Sequence, residues 1–268
     1  MSLIDRVSGL LAEVVAEEVM VRFRALEASD LEAKISAGDP DDLVTAVDRA
    51  VERRLTGALT ALLPGSRVVG EEATHAQPAL LAALASTDPV WLVDPIDGTK
   101  NFARGDDTFG VMVALFDRGA TRAAWISLPA RGQTFVAEAG AGTHLDGVRV
   151  RAPLGARPLR GTLYTHFMPA TLAARVIGAS AGRFVPHPGP GAAAIEYTAL
   201  VRGEKDFVVY HRLLPWDHGP GALVLTEAGG RVEHLDGRPY HPRASSQVTI
   251  LGADPSVPAE VRGWLTAG

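Results

Sequence analysis

The chain has 268 residues, 47% hydrophobic and 21% charged, the make-up of a globular protein with one large domain or two closely packed halves. A formal net charge of −5 leaves no basic footprint for nucleic acid, and the lack of cysteine excludes disulfides, thiolate nucleophiles and cysteine-based zinc sites. No apolar run approaches the roughly 20 residues that cross a bilayer, and acids among the first apolar residues argue against a secretory leader. A cytoplasmic protein without membrane contact is expected.

Behind a Ser2-x-x-Asp5 capping signal, Val7, Leu10, Leu11, Val14 and Val15 fall at helical spacing and predict a helix from Leu3 to Leu26. A second helix is predicted from Val44, Val47, Val51, Leu55, Leu59 and Leu62, beginning after Asp41-Asp42 and stopping at Pro64-Gly65. Short β-like runs at Arg67–Val69 and Val90–Val93 flank a predicted helix at Pro78–Ala85. Val111–Phe116, Thr121–Leu128 and Gln133–Glu138, with turn-forming residues between them, read as an antiparallel meander. The Pro-, Gly- and Arg-rich stretch Arg151–Arg160 reads as a joint between an N-terminal half, 1–150, and a C-terminal half, 151–268.

In the second half, strands at Thr162–Thr165, Arg183–Val185 and Phe207–His211 alternate with helices at Ala170–Ala181 and Gly191–Val201. A further helix opens at Asp217 and ends at Gly229-Gly230, and two strands and a last helix complete the chain. Mixed runs of this kind predict layered sheets covered by helices, an α+β or mixed α/β architecture.

The informative segment runs from Trp91 to Phe102, where an apolar strand leads into Asp94-Pro95-Ile96-Asp97-Gly98-Thr99. Pro95 is expected to stop the strand ladder, and Gly98 to permit a tight turn into a short helix. That turn puts Asp94 and Asp97 on one side and leaves the Gly98 and Thr99 amides pointing outward. Oxygen donors of this kind suit Mg²⁺, and free amides at a helix start suit phosphate. A lone Asp-x-x-Asp is more often a solvated turn, but two other segments repeat the design. Val68-Val69-Gly70-Glu71-Glu72 ends a strand in paired acids, and Leu214-Pro215-Trp216-Asp217 puts an acid at a helix start after a strand. Three such ends can converge at one sheet edge, where the sites of open α/β folds lie.

In order and approximate spacing these segments resemble the inositol monophosphatase family. Lys34, the stretch Asp42-Leu43-Val44-Thr45-Ala46-Val47-Asp48 and Thr226-Glu227-Ala228-Gly229-Gly230 extend the resemblance over essentially the whole chain. The resemblance implies a layered α-β-α-β-α sandwich and a Mg²⁺-dependent phosphomonoesterase acting on a small phosphorylated metabolite through metal-activated water. It implies two or three Mg²⁺ ions, ligated by Glu71, Asp94, the Ile96 carbonyl, Asp97 and Asp217, with Lys34 near a third, weaker ion. Asp48 and Thr99 would form, with Glu71, the group that orients and deprotonates the attacking water. The Gly98 and Thr99 amides would hold the phosphate, and Gly191, Ala192 and Ala193 would form a substrate-facing helix start. The first half would carry most ligands, the second would complete the site, and the protein would be a homodimer. The chemistry is consistent with this: four carboxylates repel a phosphate dianion unless cations intervene, and a two-metal clamp supplies the charge.

The chain also departs from the family pattern. Tyr210, followed by His211, stands where the best-known members place a glutamate against inositol hydroxyls, and Gly219-Pro220 replaces two small residues after Trp-Asp-x. Proline is tolerated in a first helical turn, so the helix is expected to survive. Inositol 1-phosphate or a similar polyol or sugar phosphate is therefore one expectation, beside fructose bisphosphate, histidinol phosphate or adenosine bisphosphate. A regulatory binding protein retaining the fold is the alternative from another class.

Other motifs lead elsewhere. Gly178-Ala179-Ser180-Ala181-Gly182 matches a serine-hydrolase elbow, but with helix before and strand after, the reverse of what that motif needs. Gly189–Ala194 mimics a dinucleotide fingerprint behind a strand spoiled by prolines. His218 is a candidate for the site's rim, Lys100 and Arg104 for an anionic substrate, and Trp216 reads as core.

Overall fold

The Ser2 hydroxyl accepts the Asp5 amide while the Asp5 carboxylate accepts the Ser2 amide, a capping box that starts α1 (Leu3–Val14). The single helix expected to Leu26 is instead α1 followed by a π-helical stretch, Val15–Met20. The wider turn has a packing reason. A regular helix would follow Val14 with Glu18 on the buried face; the longer step puts Val19 there and frees Glu18 to meet Arg22 and Arg54. The computed structural model describes residues 1–26, 31–33, 43–155, 157–244 and 246–267.

A two-stranded ribbon, β1 (Leu31–Ala33) with β2 (Leu43–Thr45), precedes α2 (Ala46–Leu62). The helix begins two residues later than Val44 because Thr45 caps it, its hydroxyl accepting the Val47 and Asp48 amides. Then come β3 (Arg67–Gly70), α3 (Glu71–Ala76), a 3₁₀ segment at Pro78–Ala85, β4 (Val90–Asp97) and α4 (Thr99–Arg104). Glu71 and Glu72 thus open a helix rather than end a strand. The meander is β5 (Gly110–Asp117), β6 (Ala120–Leu128) and β7 (Gln133–Glu138), extended by the unforeseen β8 (Gly142–Leu145) and β9 (Val148–Val150). These strands form one seven-stranded sheet in the order β3-β4-β5-β6-β7-β8-β9, with only β3 and β4 parallel.

Pro95 does not end β4. Asp97 still pairs with Gly110, and the ladder absorbs the proline as an irregularity between Asp94 and Asp97.

After the joint come β10 (Arg160–Leu163), α5 (Ala170–Ser180), β11 (Val185–Pro186), α6 (Ala193–Arg202) and β12 (Phe207–Tyr210). Then follow α7 (Pro215–Glu227), β13 (Arg231–His234), β14 (Thr249–Gly252) and α8 (Val257–Thr266). The strands make a five-stranded sheet in the order β11-β10-β12-β14-β13. The helix α7 runs through Pro220 without a break.

Strand alternation separates three cores. Trp91, Val93, Val113 and Trp125 face α1 and α2 through Val7, Leu11, Leu55 and Leu59. Leu92, Met112 and Ile126 face the other way onto α6 and α7, whose Tyr197, Leu200 and Val224 also meet Val208 and Leu251 of the second sheet. Beyond that sheet, Phe207, Val209 and Ile250 are covered by Val176 of α5 and by Val261 and Leu265 of α8. The result is a mixed α+β fold of five layers, helix-sheet-helix-sheet-helix, with the end of β4 beside the central helical layer.

Candidate functional site

A cavity of about 600 Å³ opens where β4 ends, and Glu71, Asp94, Ile96, Asp97, Gly98, Thr99, and Asp217 all line it. Three elements deliver the four acids. Asp94 and Asp97 sit on the irregular end of β4 and are buried. Glu71 is the first residue of α3, and Asp217 lies in the first turn of α7.

The β4–α4 turn depends on Gly98, whose φ of +85° is left-handed and whose position leaves no room for a side chain: a Cβ would stand 2.9 Å from that of Ala192. The same close approach lets the start of α6 hold Asp97. The Ala193 and Ala194 amides donate to its two carboxylate oxygens at 3.0 and 2.6 Å. Ala192 and Ala193 are therefore buried behind Asp97, and of the expected substrate-facing trio only Gly191 lines the cavity.

Asp48 is fully buried on α2 and bridges two elements. One carboxylate oxygen accepts both the amide and the hydroxyl of Thr45; the other accepts the Thr99 hydroxyl at 3.0 Å. The Thr99 hydroxyl also lies 2.9 Å from the Ile96 carbonyl oxygen. Burial pushes the Asp48 carboxyl up to about 7, against the opposing pull of the Thr45 bonds. Burial likewise raises Asp94, Asp97 and Asp217, and their repulsion of one another and from Glu71 adds to it; Asp97 reaches about 7. Arg212 acts in the opposite direction on Asp217.

These acids have the character of a cation site. Asp94 Oδ1 is buried without a hydrogen-bond partner, and the four carboxylates share one cavity with only Lys100 and Arg212, among the described residues, as permanently charged cations on its lining, beside two histidines. As they stand, no group of three acids or histidines among the described residues is close enough to hold an ion. Asp97 is turned to α6 and Asp217 has Asp94 beside it within hydrogen-bonding reach, an arrangement that suits partly protonated carboxyls.

Other expectations fall differently. Tyr210 and His211 do not line the cavity. Tyr210 stacks on Tyr164 at 4.7 Å and 3°, because the last residue of β12 turns its ring into the layer between sheet and helices, and Arg212 reaches the cavity instead. His218 is buried with its Nδ1 3.0 Å from the Tyr197 hydroxyl, and burial pushes the imidazole down to about 3; it packs rather than forming the rim. Trp216 is buried as expected yet also borders the cavity, as does Lys100, whereas Arg104 does not. Lys34 lies outside the described residues.

Sequence reasoning missed Glu52. It is 5% exposed on α2, and its carboxylate accepts the Glu72 and Ala73 amides, both at 2.8 Å, so it caps α3 and sets Glu71 in place. It lies over Gly70, where a Cβ would stand 2.5 Å from its carboxyl carbon. The available signal was a glutamate beside Val51, a second acid with Asp48 among the mostly apolar residues of the buried face of α2.

Two mixed sheets around a shared helical layer, with an acid-lined cavity at the end of one strand, define a layered α+β protein with a polar site at that strand end. The chain belongs to the inositol monophosphatase family, which its sequence matches over residues 2–262. It is 31% identical over 227 residues to the Nus factor SuhB of Pseudomonas aeruginosa, covering 80% of each chain. It is 26% identical over 229 residues to the inositol-1-monophosphatase of Bacillus subtilis, covering 82% of each. Among solved structures, a Thermotoga maritima IMPase superposes with a TM-score of 0.79 at 25% identity, covering 97% of this chain and 96% of that one. Family membership supports a phosphatase of this superfamily.

Proposed function

We propose that the chain is a Mg²⁺-dependent phosphomonoesterase that hydrolyses a small phosphorylated metabolite without a covalent intermediate. The observation that carries this is the gathering of Glu71, Asp94, Asp97 and Asp217 around one cavity beside the Gly98–Thr99 turn, with Asp94 Oδ1 left unpartnered.

Glu71, Asp94, Asp97, Asp217 and the Ile96 carbonyl are the groups that would hold Mg²⁺. When bound, the ions would neutralise acids and phosphate together and make water nucleophilic near neutral pH. The chain's own residues supply the rest. The Gly98 and Thr99 amides, at the start of α4 on the cavity, bind and orient the phosphate. The Thr99 hydroxyl, held by Asp48, aligns the attacking water, and Asp48 takes up its proton through that hydroxyl. A carboxyl brought to about 7 by burial is suited to accept a proton near neutrality. Glu52 keeps Glu71 aimed at the cavity through the α3 amides.

In this reading residues 1–150 supply Asp48, Glu71, Asp94, Asp97 and Thr99, while residues 151–268 complete the site with Asp217. A cytoplasmic homodimer belongs to the same proposal, supported by family membership; no helix among the described residues is long and apolar enough to cross a membrane. The relative named a Nus factor sets a regulatory binding role beside the enzymatic one. Phosphate release from a panel of phosphomonoesters, with and without Mg²⁺, separates the two: release only with Mg²⁺ supports the enzyme, and none on any ester supports the binding protein.

A further inference from the structure

The cavity wall at Gly191 is the end of a short strap, residues 187–191, that leads from β11 towards α6. Gly191 is exposed, with a left-handed φ of +75° and open space where a side chain would stand, so packing does not fix its place. Hydrogen bonds do. The Pro190 carbonyl accepts the Asn101 side-chain amide at 2.8 Å, and the Gly191 amide donates to the Tyr164 hydroxyl at 3.1 Å. Gly189 lies over the same hydroxyl, where a Cβ would stand 2.7 Å from the oxygen.

A tyrosine hydroxyl has one proton, and where it points decides whether the oxygen is free to accept. That proton goes to Glu196 of α6 at 2.7 Å, which leaves the oxygen's lone pairs for the Gly191 amide. Glu196 is 0% exposed, and its other oxygen accepts from Lys205, itself 1% exposed. The Lys205 ammonium also reaches the Thr162 hydroxyl at 3.0 Å and the Pro188 carbonyl at 3.3 Å, so each of its protons has an acceptor. Buried charges of this kind persist only when paired and fully hydrogen-bonded. The Tyr164 ring is fixed in turn by its stack on Tyr210. Tyr164, Glu196 and Lys205 all stand behind the cavity and none of them lines it.

We infer that Tyr164 is a positioning residue for the proposed hydrolysis: its hydroxyl, oriented by the buried Glu196–Lys205 pair, holds Gly191 in place against the substrate. The inference rests on the phosphatase reading for its effect on turnover, but not for the hold on Gly191 itself. The effect falls on substrate affinity rather than on the chemical step, because the Thr99–Asp48 bond and the Asp97 carboxylate are secured by other contacts.

Tyr164→Phe keeps the ring and removes only the hydroxyl. With p-nitrophenyl phosphate at saturating Mg²⁺ it should raise KM by about fivefold or more while kcat stays within about twofold of wild type. Exchange of the Gly191 amide, read by NMR, should quicken by about tenfold. Two double variants separate acceptor from charge without stranding a lone buried ion. Glu196→Leu with Lys205→Met leaves the hydroxyl without its acceptor and should raise KM as Tyr164→Phe does. Glu196→Gln with Lys205→Met restores an oxygen for Tyr164 and should recover most of that loss. Quickened Gly191 exchange in Tyr164→Phe, in a protein that hydrolyses no ester, would remove the phosphatase reading and leave the hold on Gly191 standing. An unchanged KM in Tyr164→Phe, an effect confined to its melting temperature, unaltered Gly191 exchange, or equal KM values in the two double variants overturns the inference while leaving the phosphatase intact.

Discussion

The Thr99 hydroxyl, at the start of the helix after β4, donates to the carboxylate of Asp48 on α2 at 3.0 Å, joining residues 51 positions apart in the chain. If that bond aligns the attacking water, its loss should act on the chemical step. Thr99→Ala is expected to lower kcat by a factor on the order of 10² while changing KM far less, since general-base assistance contributes roughly that much. Steady-state kinetics on p-nitrophenyl phosphate at saturating Mg²⁺ check this. An unchanged kcat would remove Thr99 and Asp48 from the mechanism.

Glu52 offers a test of positioning. In Glu52→Ala the Glu72 and Ala73 amides lose their buried acceptor, which should cost about 1–3 kcal/mol of stability. Because α3 begins with Glu71, Mg²⁺ affinity should fall as well, read as a weaker response of the melting temperature to added Mg²⁺. A variant that melts and binds like wild type would show that the cap is decorative.

Without metal, the acid cluster should make stability depend on pH with a definite sign. Burial raises Glu52 and Asp48 to about 7 from ordinary values of 4.5 and 3.8. A carboxyl raised on folding favours the folded state while protonated. Its contribution is complete below its unfolded value and disappears as pH rises through about 7. In excess chelator the melting temperature should fall between pH 5.5 and pH 8, and Mg²⁺ should recover more of it at the higher pH. Asp94→Asn and Asp217→Asn, each removing one repelling charge, should raise the metal-free melting temperature at pH 8 while costing activity on the order of 10². A metal-free melt independent of pH, or lowered by both substitutions, contradicts this electrostatic picture.

Several parts of this site were legible in the sequence because they are local. The run into Asp94-Pro95-Ile96-Asp97-Gly98 announces a strand, paired acids and a left-handed turn within eight residues of Val90, and the structure has β4 and the Gly98 turn there. The Thr45–Asp48 capping box is the same kind of local signal, but it was passed over, and the helix was expected to begin just after Asp41-Asp42. Pro95 misled because proline normally ends a ladder, and only the pairing of Asp97 with Gly110 across the irregularity shows that it does not here. What stayed hidden is long-range. Nothing near Asp97 in sequence says that Ala193 and Ala194, on another half of the chain, hold its carboxylate. Tyr210 was placed by counting back from Asp217, and counting could not show that its ring would stack on Tyr164 and leave Arg212 at the cavity.

The central claim is that the acids around Asp94 exist to hold Mg²⁺ for phosphate hydrolysis. The most direct measurement is phosphate release from p-nitrophenyl phosphate and the panel of phosphomonoesters in excess chelator, then with Mg²⁺ restored. The account predicts no release above background in chelator, full recovery with Mg²⁺, and inhibition by high Ca²⁺, whose looser coordination misplaces the water. Full activity persisting in excess chelator would contradict it.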